Sequence, residues 1–194
     1  MNKLLYLSFL FLLSCFGQQD KKVVLKKEIS VTLQKNKITL AGGCFWGVEE
    51  LFKKFPGVVS TDVGYTGGHL KNPRYEDIKK GNTGHAEAVQ ITYDDITTDL
   101  AKLLDYFFRL HDPTTLNQQG NDKGTQYRSA IFYLDEDQKK MAQEAVIRAQ
   151  NSKRWKDKIV TEVVAASDFY LAEDFHQDYL QKNPAGYTCH FLRK

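Results

Sequence analysis

Ile38-Thr39-Leu40-Ala41-Gly42-Gly43-Cys44-Phe45-Trp46-Gly47-Val48-Glu49-Glu50 reads as a strand, a glycine turn and the first turns of a helix. Ile38 and Leu40 give β character, and Gly42-Gly43 breaks the strand with backbone angles that other residues resist. From Phe45 onward the apolar positions Val48, Phe52 and Phe55 recur at helical spacing, a stripe suited to a core. Cys44 therefore falls where the helix begins. Free amides and the positive end of the helix dipole favour an anion there. A thiol in that place is expected to have a lowered pKa and to react as thiolate. The competing reading is a small buried hydrophobe, the commoner fate of a lone cysteine. Phe45 and Trp46 beside it are either core or a surface for a soft, methyl-bearing sulfur group, since sulfur packs well against aromatic rings.

Working outward, the next informative residue is Glu87 in Ala86–Tyr93, a strand pattern. By the two-residue period Glu87 shares a face with Val89, Ile91 and Tyr93. A carboxyl on an apolar face has a raised pKa and can serve as a general acid. A rim glutamate in water is the alternative. Tyr75 and Tyr127 are two of ten tyrosines and read first as packing. Asp122, within Asn121-Asp122-Lys123-Gly124, reads first as a turn residue.

Gly43-Cys44-Phe45-Trp46-Gly47 resembles the motif of the peptide methionine sulfoxide reductases of the A type. The resemblance continues through Gly64-Tyr65-Thr66-Gly67-Gly68, Asn72-Pro73-Arg74-Tyr75-Glu76, Gly84-His85-Ala86-Glu87, His111-Asp112-Pro113-Thr114, Asn117 to Asp122 and Gly124 to Ser129, and ends at Asn183-Pro184-Ala185-Gly186-Tyr187. It spans about residues 37 to 189. It implies reduction of the S epimer of methionine sulfoxide, with the R epimer left alone. Cys44 would be the nucleophile and Glu87 the proton donor. Tyr75 and Tyr127 would hold the sulfoxide oxygen, Asp122 would be the acidic site residue, and Phe45 and Trp46 would make the methyl pocket. Cys189 would be the resolving thiol, closing a disulfide with the oxidised Cys44 that a thioredoxin-like partner reduces. Thr188 separates Tyr187 from Cys189, a departure from many members, and no second recycling cysteine follows. No cofactor or metal is implied. Cys44, Cys189 and His69, His85, His176 or His190 show no C-x-x-C or H-x-x-x-H spacing. His85 is expected to order the loop before its strand, and His176 to pack a last helix against the core.

Two other classes remain open: a different thiol enzyme such as a peroxidase, which needs no Glu87 acid or methyl pocket, and a membrane-tethered module that grips methionine without chemistry. A purely structural Cys44–Cys189 disulfide is a third use of the two thiols.

The chain ahead of this region has its own pattern. Lys3 precedes a run from Leu4 to Phe16 that is almost wholly apolar, the form of a secretory signal and too short for a membrane span of ~20 residues. Leu12-Leu13-Ser14-Cys15 resembles a bacterial lipobox, which implies cleavage after residue 14 and acylation of Cys15. Residues 15–36, polar and lysine-rich, are then a lipid-anchored tether. The expected location is the bacterial cell envelope. A net charge of +3, or +2 without Lys3, is too mild to argue for nucleic acid.

Residues 37–194 have the size of one domain. Strands are expected at 37–41, 58–65, 86–93, 126–134 and 159–165. Helices are expected at 45–55, 98–110, 136–150 and from Ser167 or Asp168 to about Gln181. The first six elements run βαββαβ, a ferredoxin-like order. The expected fold is a two-layer α/β (α+β) sandwich with a mixed sheet and a C-terminal strand and helix.

Overall fold

The computed structural model describes residues 21–23 and 36–193. The signal, the lipobox cysteine Cys15 and nearly all of the tether lie outside the described residues. Among the described residues no helix is long and apolar enough to cross a membrane.

In the unit that starts at Asn36 the chain runs β1 (Lys37–Gly42), α1 (Phe45–Lys53), β2 (Val58–Thr66), α2 (Tyr75–Ile78), β3 (Ala86–Tyr93), α3 (Leu100–Leu110), β4 (Gln118–Gln119), β5 (Asp122–Lys123), β6 (Ser129–Tyr133), α4 (Glu136–Asn151), β7 (Glu162–Ala165), β8 (Tyr170–Leu171) and α5 (Tyr179–Lys182). One six-stranded sheet has the order β7-β6-β1-β3-β2-β8. Its middle four strands, β6-β1-β3-β2, pair antiparallel throughout. This is the ferredoxin-like arrangement. β7 adds in parallel beside β6, and β8 adds antiparallel beside β2, which makes the sheet mixed.

Period-two alternation sorts the strands between two cores. Ile38 and Leu40 of β1, Val89 and Ile91 of β3 and Ile131 of β6 join Phe45, Val48 and Phe52 of α1 and Leu103, Leu104 and Phe107 of α3 in the larger one. Ala41, Ala86, Ala88, Ala130 and Phe132 point to the other face, where Ala166 and Phe169 cover them. Asp99 and Asp135 cap α3 and α4, accepting the amides of Lys102 and Gln138 at 2.8 Å each.

The stretch after β7 departs from expectation. A helix from residue 167 to 181 does not form; β8, a turn segment and the four-residue α5 replace it. The polar side chains that look like the solvated face of a helix bond to the rest of the fold instead. Gln177 bonds both the amide and the carbonyl of Val63. Glu173 accepts from Tyr65 and Tyr75. The Asp178 amide donates to the buried Glu49 carboxylate at 3.0 Å. α1 also ends two residues early, at Lys53, which frees Phe55 to pack on Tyr106. Residues 126 and 127 belong to a 3₁₀ turn, Thr125–Tyr127, and β6 starts only at Ser129.

Candidate active site

Cys44 occupies the position before α1 and is buried. Gly43, at φ +103°, makes the turn from β1; a Cβ there would come within 2.6 Å of Gln119 Cβ. Gln119 in turn clamps the backbone of Asp112, accepting from its amide and donating to its carbonyl at 3.1 Å each.

Glu87 is the second residue of β3, directly across from Tyr65 on β2. It is on the helix-covered face, as the alternation of β3 requires. The amide of Phe45, the first residue of α1, donates to Glu87 Oε2 at 3.2 Å. The strand-borne carboxyl thus meets the helix start beside the thiol. Burial pushes the Glu87 pKa up to about 8, against the pull of the Phe45 amide and with a further push from Asp122. Glu87 therefore keeps its proton at neutral pH.

The same burial reverses the expectation for Cys44. At 6% exposure, desolvation drives its pKa up, Glu87 adds to that, and the Trp46 amide opposes it without prevailing. Before substrate enters, the thiol is protonated, not a low-pKa thiolate. The helix terminus is present, but its amides are shared with Glu87 and its water has been removed.

Tyr75 opens α2 and Tyr127 closes the 3₁₀ turn before β6; both are half-buried. Burial is the main cause that lifts the Tyr75 hydroxyl to about 12, with Glu87 and Cys44 next. Tyr127 is raised by burial, then by Glu87, Tyr75, Asp122 and Cys44. These groups sense one another's charge, so the structure brings Cys44, Glu87, Tyr75, Tyr127 and Asp122 into one cluster. Asp122 sits on β5 of a small hairpin, not in an irregular loop. Its Oδ2 accepts from the Tyr187 hydroxyl at 3.1 Å and from Cys189 Sγ at 3.4 Å.

Both described cysteines, Cys44 and Cys189, are free. Cys189 is half-buried, and burial followed by the Asp122 contact lifts its pKa to about 11. The C-terminal tail is tied down just beyond it. His190 Nε2 donates to the Gly42 carbonyl at 2.7 Å, and the Arg193 amide donates to the Arg109 carbonyl at 2.9 Å.

Sequence reasoning missed the support beneath the aromatic residues. Phe45 is buried between Tyr65 and His176, with ring centroids 5.9 and 5.1 Å away. It is both a core residue and a wall of the cluster. Trp46 stacks on Tyr179 at 3.8 Å. Glu173 accepts the Tyr65 hydroxyl at 2.9 Å and the Tyr75 amide at 3.0 Å. His176 does not pack a helix; it sits among Phe45, Trp46 and Tyr75. The available signal was the density of hydrogen-bonding side chains in Glu173-Asp174-Phe175-His176-Gln177, more than an amphipathic helix needs. His85 does order its loop, accepting from the Gly68 amide and donating to the Leu70 carbonyl. A separate cavity of 470 Å³, lined by His69, Asn82, Asn117 and Arg128 among others, contains none of the predicted site residues.

Comparison with known proteins bears on this cluster. The family model for peptide methionine sulfoxide reductase matches residues 36–194. The peptide methionine sulfoxide reductase MsrA of Mycobacterium leprae (strain Br4923) is 57% identical over 157 residues, covering 81% of this chain and 86% of that protein. The crystal structure of reduced Mxr1 from Saccharomyces cerevisiae superposes with a TM-score of 0.78 at 41% identity, over 81% of this chain and 92% of that one. The structure of Mxr1 in complex with Trx2 aligns at a TM-score of 0.56 and 30% identity, over 81% and 89%. With a thiol, a protonated carboxyl and an aromatic wall gathered at one helix start and a family match over the whole of this unit, the chain belongs to the peptide methionine sulfoxide reductase family and is an oxidoreductase that reduces methionine sulfoxide.

Proposed function

We propose that the enzyme reduces the S epimer of methionine sulfoxide, free or in proteins, through a sulfenic acid on Cys44. The observation that carries this reading is the Glu87 carboxyl seated on the Phe45 amide beside Cys44, holding its proton at neutral pH. A sulfoxide oxygen is a poor leaving group until protonated. Glu87 supplies the proton as Cys44 sulfur attacks the sulfoxide sulfur, with the hydroxyls of Tyr75 and Tyr127 holding the oxygen and Phe45 and Trp46 receiving the S-methyl group. The sulfur–sulfur bond formed in the attack and the bond from oxygen to the methionine sulfur both break as the oxygen passes to Cys44, which is left as S–OH. Two electrons pass from Cys44 to methionine sulfur, and the thiol proton restores Glu87.

Cys189 then attacks the sulfenic sulfur, a disulfide forms, and the oxygen leaves as water. A thioredoxin-like dithiol reduces the Cys44–Cys189 disulfide and is itself oxidised. Support comes from the free Cys189 held against Asp122 and from the relative Mxr1, whose structure is known in complex with Trx2. The N-terminal reading is kept alongside: residues 1–14 as a signal, Cys15 as an acylated anchor, residues 15–36 as a tether and residues 37–194 as the catalytic domain, exported to the cell envelope. It rests on the residue pattern alone.

Reduction of each epimer of a dabsylated methionine sulfoxide with dithiothreitol tests the activity. Turnover of the S epimer alone, lost in Cys44→Ser, is expected. Comparable reduction of the R epimer would overturn the stereochemistry, and full activity of Cys44→Ser would overturn the nucleophile.

A further inference from the structure

Cys189 is held between two acceptors, and one of them is its own neighbour in the chain. Its Sγ lies 3.4 Å from Asp122 Oδ2 and 3.5 Å from His190 Nδ1. His190 is 7% exposed, and its other ring nitrogen, Nε2, donates to the Gly42 carbonyl at 2.7 Å. A carbonyl can only accept, so the ring hydrogen is on Nε2 and Nδ1 is bare. The bare nitrogen faces the thiol. Gly47 of α1 makes room for it, since a Cβ there would come within 2.5 Å of Nδ1. The Thr188 hydroxyl accepts the His190 amide at 3.1 Å and steadies the backbone beneath the ring.

Docking the tail does not by itself call for an imidazole. A glutamine amide would also reach the Gly42 carbonyl. What histidine adds is a second nitrogen that can take up a proton beside Cys189. The ring is kept neutral for that task. Burial pulls its pKa down to about 4 and Arg193 acts in the same direction, while the Gly42 carbonyl and Asp122 pull it up without prevailing. His111, the other buried imidazole near Gly42, is likewise neutral, at about 3. The Cys189 thiol rests protonated, at about 11, and a protonated thiol is a poor nucleophile.

We propose that His190 is a catalytic residue of the second half-reaction: its Nδ1 takes the Cys189 thiol proton as Sγ attacks the sulfenic acid on Cys44. This rests on the reading of Cys189 as the resolving thiol. The Cys189 S–H bond breaks and its proton passes to Nδ1. An S–S bond forms to Cys44 while the S–O bond of the sulfenic acid breaks, and the hydroxyl leaves as water with the Glu87 proton. Cys189 sulfur is oxidised and Cys44 sulfur is reduced. The imidazolium then gives a proton to solvent and Glu87 regains one, so none is gained or lost overall. A base this weak takes the proton as the S–S bond forms, not ahead of it. Asp122 is the poorer base. Its Oδ2 already accepts the Tyr187 hydroxyl, and its charge opposes a thiolate but favours an imidazolium.

The test is a single turnover with one equivalent of S-methionine sulfoxide, quenched at intervals, with methionine and free thiols counted in parallel. It compares the wild type with His190→Gln and His190→Ala. In His190→Gln the rate of disulfide closure relative to methionine release is expected to fall about 10²-fold at pH 7, because glutamine offers the Gly42 carbonyl a donor but has no basic nitrogen. Between pH 7 and 9.5 that deficit should shrink at least ~10-fold, as the thiol ionises without help. A tail that is only displaced would keep its deficit at every pH. If glutamine disturbs the tail, His190→Ala carries the test: added imidazole should restore closure, and pyrazole, of the same shape but a far weaker base, should not. Closure at the wild-type rate in His190→Gln, a deficit that does not change with pH, or equal rescue by the two azoles would overturn the role of His190. Full turnover of Cys189→Ser with thioredoxin would instead remove the resolving thiol reading, and this inference with it.

Discussion

Glu87 accepts the amide of Phe45 at 3.2 Å, so the carboxyl of a central strand is seated on the first turn of the helix that Cys44 begins. One hydrogen bond joins the two parts of the fold that the chemistry needs. It also explains why the nucleophile rests as a thiol: the same burial that keeps Glu87 protonated disfavours a thiolate beside it.

The first step as written neither gains nor loses a proton, so the reactive state carries both the Glu87 and the Cys44 protons. The rate of methionine formation in a single turnover is therefore expected to fall as pH rises through about 8, where Glu87 ionises. Glu87→Gln should slow that step by about 10²–10⁴-fold and abolish the limb near 8. The same shift predicts a stability effect of opposite sense. The folded carboxyl holds its proton to about 8, while the unfolded one releases it near 4.5. Between these values the folded state binds more protons, so Glu87 costs stability increasingly as pH rises. Glu87→Gln should then be more stable than the wild type at pH 7 by ~2–4 kcal/mol, and by little below pH 4.5, as denaturant melts at the two pH values would read.

How much of this was legible in advance follows the range of the interactions. The β1–α1 turn and the buried face of β3 depend on spacing within a few residues, and they read directly. The cluster's outer half was hidden because its hydrogen bonds reach far along the chain: Trp46 to His176, Tyr65 to Glu173, Gly42 to His190. Phe169, Ala172, His176 and Leu180 keep helical spacing, but Glu173 and Gln177 bond β2 and α2 instead of water, and tertiary bonding overrode the periodicity. The thiol's pKa was misjudged for a related reason. Helix position is local, while the water lost on folding is not.

Asp122 accepts from Cys189 and contributes to holding its thiol up at about 11. Asp122→Asn removes the charge that penalises the thiolate. The Cys189 pKa should fall, and alkylation of Cys189 in a Cys44→Ser background should speed up at neutral pH. Slower alkylation would show that the carboxylate activates the thiol rather than restraining it.

Gly47 lets the tail approach α1. A Cβ there would lie 2.9 Å from His190 Cβ and would also strike the Thr188 hydroxyl. Gly47→Ala should improve helix propensity by up to about 1 kcal/mol yet push the tail away. Disulfide closure, followed by loss of free thiols after one equivalent of sulfoxide, is expected to slow at least ~10-fold relative to methionine release.

The proposed anchor predicts that Cys15→Ser, expressed in a bacterium with the leader intact, shifts the protein from the membrane to the soluble fraction and removes the mass of the acyl chains. An unchanged partition and mass would remove the lipoprotein reading and leave the catalytic one intact.

The most direct test of the account is a rapid-quench single turnover of Cys189→Ser with the S epimer in the presence of dimedone. One methionine per enzyme, a dimedone adduct on Cys44, and loss of both in the added Glu87→Gln change are predicted. Methionine released with Cys44 unmodified, or at an undiminished rate without the Glu87 carboxyl, would contradict it.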